Sequence, residues 1–200
     1  MKNMQKGTRG YINARKKFAL ICTLVSFGVA AGVFVLGLFL NNFEKGNVFT
    51  IIAAVLVIPA AKFVVSLFMF VPYKTVPEDQ YKRVCEVVKE EDVFWTDVVM
   101  TSYEHVLNMA YLVIAGDKVF ILEGRDREKW DFTRDYLQTT IKKKGYDLTV
   151  TVFEAHEEQK FIKSVKQASR FCERGYSEEE VSSLLAERAE LTELLETLMV

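Results

Sequence analysis

The chain has 200 residues, half of them hydrophobic, and a formal net charge of −1. That average conceals a segregation. Of the 26 Lys/Arg, six lie in residues 1–17 with no acid among them, and only Lys45 and Lys62 fall in residues 18–71. That leaves 18 after residue 71, against 26 of the 27 Asp/Glu. A basic flank, an apolar middle and an acidic remainder argue against nucleic acid as a partner and for a membrane-anchored protein with one further domain of about 130 residues.

Residues 1–17 read as a basic cytoplasmic tail carrying Lys2, Lys6, Arg9, Arg15, Lys16 and Lys17. Two apolar runs follow, Phe18–Leu40 and Val48–Val71, separated by seven residues. At 1.5 Å per helical residue each spans about 35 Å, enough to cross a hydrocarbon core with some tilt. The first run exceeds the core of a secretory signal, and Leu40-Asn41-Asn42-Phe43 offers no small-residue cleavage site, so the run is expected to stay. Six cations before the first span, and Lys74, Lys82 and Arg83 after the second, contrast with a lone Lys45 in the loop. The positive-inside rule then predicts an inner-membrane hairpin, multi-pass, with both termini cytoplasmic.

Within the hairpin, Gly28 and Gly32 form a small-x-x-x-small pattern that lets helices approach closely. They either pack on Ala53, Ala54, Ala60 and Ala61 of the second span or form a dimerisation face. Lys62 sits near mid-span, three residues after Pro59, with no carboxylate in either span to pair with it. A mid-membrane cation is either a functional site or a side chain that snorkels to the headgroups.

Thr75 and Glu78 are placed as a capping box opening a helix to about Glu91, which would connect hairpin and domain without a linker. Strands are predicted at Val93–Thr101, Met109–Ala115 and Lys118–Glu123, the last two joined by the Gly116-Asp117 turn. A helix over Asp126–Lys144, with Trp130, Leu137 and Ile141 inward, stops at Gly145. A fourth strand, Tyr146–Glu154, and helices over Glu157–Arg174 and Ser177–Met199 complete the chain, with Ser177 and Glu180 as a second capping box. The expected class is therefore a membrane α-hairpin of two transmembrane helices plus a cytoplasmic α+β domain over 72–200, ordered helix-strand-strand-strand-helix-strand-helix-helix.

Chemistry is sparse. No phosphate-cradling loop, dinucleotide fingerprint or nucleophile elbow occurs, and no cofactor is implied. Cys22, Cys85 and Cys172 lack the spacing of a metal site and read as free thiols. The weak catalytic candidates are Asp97, Glu123 and His156, within a wider polar set that adds His105, Glu104 and Glu154. A two-histidine, one-carboxylate metal site from these rests on residue type alone, and solvated loop-edge histidines are the plainer reading.

On the helix over 157–174, Lys160, Lys163, Lys166, Arg170 and Arg174 share one arc, opposite Phe161, Ile162, Val165, Ala168 and Cys172. That arc is a candidate contact for anionic lipid or a solvated face. On the last helix Val181, Leu184, Arg188, Leu191, Leu195 and Leu198 occupy heptad a and d positions over fewer than three heptads. Residues 177–199 therefore serve either a protein partner or self-association, or packing on the home domain.

The order helix–strand–strand–strand–helix–strand resembles the core of restriction-endonuclease-like nucleases. The resemblance implies Mg²⁺ held by an acid on the second strand and an acid-x-lysine pair on the third. Here the third strand ends Glu123-Gly124-Arg125, with arginine for lysine, and Met109–Ala115 holds no acid. The catalytic pattern is broken, and a domain with a net charge of −8 (18 basic against 26 acidic residues) is poorly suited to DNA. The residues around Gly10-Tyr11-Ile12 and Val71-Pro72-Tyr73-Lys74 resemble small bacterial two-span membrane proteins, a likeness that brings no activity. The leading expectation is a membrane-tethered interaction or regulatory module with the lipid bilayer as a partner. The alternatives are a membrane-anchored metal-dependent hydrolase or nuclease-like enzyme, and a small transport component acting as an oligomer.

Overall fold

The computed structural model describes residues 5–42, 46–102, 105–125, 130–171 and 178–199. The chain divides into two compact units, Ile12–Tyr73 and a second composed of Met1–Tyr11 with Lys74–Val200.

The first unit is built on two long apolar helices, α1 (Tyr11–Leu40) and α2 (Val48–Phe70). α1 begins seven residues before the apolar run expected from sequence: Ala14–Lys17 are good helix formers, and Tyr11 and Ile12 ahead of them are buried. Asn47 caps α2: its Oδ1 accepts from the Thr50 amide at 3.0 Å, and its Nδ2 donates to the Gly37 carbonyl at 3.2 Å. The buried positions at the helix–helix seam include the alanines Ala19, Ala30, Ala53 and Ala60. Close approach is made at Gly37, where a Cβ would lie 2.3 Å from Phe49 Cβ. Gly28 and Gly32, expected either against the second helix or at a dimerisation face, do not meet α2 in this geometry. Both are exposed, and a Cβ on either would meet nothing within 4 Å. Ala53 and Ala60 take the facing role foreseen for α2, while Ala54 and Ala61 turn outward.

The second unit is a four-stranded mixed sheet of β1 (Val93–Thr101), β2 (Val106–Ala115), β3 (Lys118–Glu123) and β4 (Thr149–Phe153), in the order β1-β2-β3-β4. The first three strands form an antiparallel meander. β4 lies parallel to β3 after a crossover through α4 (Trp130–Lys143), as a parallel pair requires. β2 starts three residues earlier than its apolar run, because Asn108 is buried inside it and interrupts the pattern that sequence alone offers. Between β2 and β3, Gly116 takes φ +62°, the first position of a two-residue hairpin turn. Gly145 ends α4 at φ +93°.

Both faces of the sheet are covered. On one side Trp95, Val98, Met109, Leu112 and Ile121 pack with Leu137 and Ile141 of α4 and with Leu191, Leu195 and Met199 at the end of α6 (Glu178–Leu198). On the other, Tyr111, Val113, Phe120 and Leu122 pack with Val84 of α3 (Glu78–Cys85) and with Phe161 and Val165 of α5 (Glu158–Phe171). Arg188, expected in the heptad seam of α6, is buried. It donates to the Glu91 carbonyl at 2.9 Å and the Gly116 carbonyl at 3.3 Å.

Three local expectations are corrected. α3 is capped by Pro77 with no side-chain cap bond, so Thr75 and Glu78 form no capping box; Thr75 lies two residues ahead of the cap, and Glu78 is the first helical residue rather than the third. α3 stops at Cys85 because Asp92 folds the following chain back, accepting the Lys89 amide at 3.1 Å and the Ser169 hydroxyl at 2.7 Å. Nor is α2 continuous with α3, since residues 71–77 are non-helical. A capping box does occur at Glu154 and Glu157, around the 3₁₀ turn Ala155–Glu157 that leads into α5. Ser177, half of the second box expected, lies outside the described residues.

Candidate functional site

Edge strand β1 is where the polar interactions concentrate. It pairs with β2 from Val93↔Ile114 to Thr96↔Tyr111 and again from Val98↔Met109, so the ladder breaks at Asp97 and Ala110. Asp97 has φ +54°, in the left-handed region that a non-glycine residue rarely occupies. The inversion slips the alternation by one. Trp95 and Val98, three apart, therefore face the same core.

The Asp97 side chain is 1% exposed. Its Oδ2 accepts the Gly10 amide at 2.7 Å and its Oδ1 accepts the Val76 amide at 2.9 Å. Burial pushes the carboxyl above its ordinary value. The Val76 and Gly10 amides, the Thr75 hydroxyl and the Arg9 charge oppose that shift without cancelling it. Gly10 and Val76 flank the stretch that contains the apolar hairpin, so one carboxylate holds the chain on both sides of it.

The surroundings reinforce that join. The Gly7 carbonyl accepts the Thr96 amide at 2.9 Å. Gly7 sits at φ +74°, and a Cβ there would lie 2.3 Å from Trp95 Cδ1. Arg9 Nε donates to the Val76 carbonyl at 3.1 Å, and its guanidinium lies 5.8 Å from the Tyr81 ring centroid and 3.8 Å from Glu78. Lys6 Nζ donates to the Met199 carbonyl at 2.7 Å, while Met199 itself bridges Met100 on the same strand. Residues 5–10 are thus an arm that meets β1 at Thr96, and Met199 meets the same strand at Met100.

The other candidates do not converge. Glu123 is buried at the end of β3, opposite Met109. His156 is exposed, with Nδ1 3.3 Å from Glu154, and Glu154 serves in the cap before α5. His105 is exposed with its ring edge-on to Phe132 at 4.9 Å. Glu104 lies outside the described residues. Among the described residues no group of three or more His, Cys, Asp or Glu is placed to hold a metal. Cys22 and Cys85 are free thiols, and Cys172 lies outside the described residues.

Lys62 is exposed on α2 beyond Pro59, which lies inside the helix. On α5, Lys160, Lys163 and Lys166 are exposed opposite the buried Phe161 and Val165. Lys160 pairs with Glu157, which draws the lysine up and the glutamate down in pKa. Arg174 and the Arg170 side chain lie outside the described residues.

Sequence reading missed Gly7, Gly10 and the Val76 amide. The only signal was the pair of glycines ahead of the first apolar run, since a backbone amide leaves no mark in a sequence. Comparison of the chain with protein-family models, with curated proteins and with solved structures returns no match.

Proposed function

We propose that the chain is a two-span inner-membrane protein that displays its sheet domain in the cytoplasm as an interaction or regulatory module. One observation carries the reading: among the residues whose side chains are described, the exposed large hydrophobic ones lie between Phe18 and Val71. Leu24, Ile58 and Phe68 are 65, 70 and 73% exposed, a surface that water does not tolerate and lipid does. The sheet domain buries its own large side chains on both faces, as a water-facing module should. The cations flanking the hairpin support a topology with both flanks inside, and among the described residues α1 and α2 are long and apolar enough for the crossing.

The proposal is tested by alkaline carbonate extraction and cysteine accessibility in intact cells. The protein should stay in the pellet. In a background lacking native cysteines, a cysteine at Asn42 should be labelled from outside by an impermeant maleimide, and one at Thr101 only after permeabilisation. Release by carbonate, or the reverse labelling pattern, would overturn it. Affinity capture from solubilised membranes then identifies what the module engages.

A further inference from the structure

We infer that Asp97 is a clasp: its single carboxylate locks the segment leading into the apolar hairpin and the segment leading out of it onto the same edge strand. The inference stands whether or not the hairpin crosses a membrane, because all three residues belong to the sheet unit.

Four observations converge. Each carboxylate oxygen accepts one backbone amide, one from either side of the hairpin, at 2.7 and 2.9 Å. The side chain is buried, so water cannot replace either bond. The backbone takes φ +54°, where glycine would sit without strain. An aspartate held there points to a role for its side chain, because strained positions persist only where the surroundings fix them. Finally, Arg9 ties the two held segments to each other directly, through the Val76 carbonyl and Glu78. A bond to each segment from one side chain makes the clasp cooperative: once one segment docks, the carboxyl group is already placed for the other.

Asp97 is a side chain of β1 that bonds both segments at once. The clasp therefore sets whether a displacement at either end of the hairpin is felt by the sheet. Movement of residue 10 or residue 76 pulls on β1 at the point where its ladder is already interrupted.

The test is residue-resolved hydrogen exchange on the full chain in detergent micelles. Asp97→Gly keeps the backbone conformation and removes the carboxylate. The amides of Gly10 and Val76 should then exchange at least about tenfold faster, while those of β2 and β3 stay as in the wild type. Asp97→Asn retains one acceptor oxygen and turns an NH₂ toward the other amide, so one of the two amides should accelerate and the other hold. Unchanged exchange at both amides in Asp97→Gly would overturn the clasp. So would a uniform rise across the sheet, which marks a general packing role, or an Asp97→Asn variant in which neither amide accelerates.

Discussion

Asp97 concentrates the physical chemistry of this chain in one residue. Burial holds its carboxyl above the ordinary range, so the folded domain keeps that proton at a pH where the unfolded chain has released it. The stabilisation from this group is therefore present at low pH and lost as pH rises through the folded value. Arg9 from the arm is the facing cation, itself shared with Glu78. Thermal unfolding of wild type against Asp97→Asn should favour the wild type increasingly as pH is lowered towards the ordinary carboxylate range; an offset that does not change with pH would refute the assignment. Gly7 makes the complementary case. Alanine there would be strained by its φ and would collide with Trp95, so Gly7→Ala should lower stability by about 1–3 kcal/mol in chemical denaturation. Neither residue's role was visible in the sequence, where Asp97 was only a weak catalytic candidate and Gly7 an unremarked residue of a basic tail.

At the scale of the elements, α1 and α2 were legible as apolar runs, but the face they share was not. Small residues recur in both runs, and periodicity offers Gly28 and Gly32 as readily as Gly37. The hairpin loop decides, because Asn47 reaches back to the Gly37 carbonyl and brings Phe49 against that glycine. Gly37→Leu should therefore disrupt the hairpin, read as loss of a crosslink between cysteines introduced at Ala30 and Ala53. Gly28→Leu and Gly32→Leu should preserve that crosslink. The sheet elements were legible where alternation was clean, as in β1 and β3, and displaced where a polar residue was buried, as at Asn108 in β2. The last helix shows the limit of pattern reading. Its heptad positions Leu191 and Leu195 are buried against the sheet, and Arg188 in the same seam satisfies two carbonyls of the home domain.

The whole molecule comprises two units of opposite character, one with an apolar exterior and one with an apolar interior. They should come apart separately. Both tryptophans, Trp95 and Trp130, belong to the sheet unit, so in micelles urea should shift tryptophan fluorescence while the helical signal of α1 and α2 persists. A single coincident transition by both probes would contradict this independence. The sequence by itself determined the hairpin and the order of elements. A long apolar run leaves few structural options, and strand and helix periods are local properties. Only the tertiary structure decided which glycine packs, how the sheet's edge is covered, and what Asp97 does. Those outcomes rest on bonds between residues as far as 87 and 193 positions apart, made largely to backbone groups that every residue carries and no residue type announces.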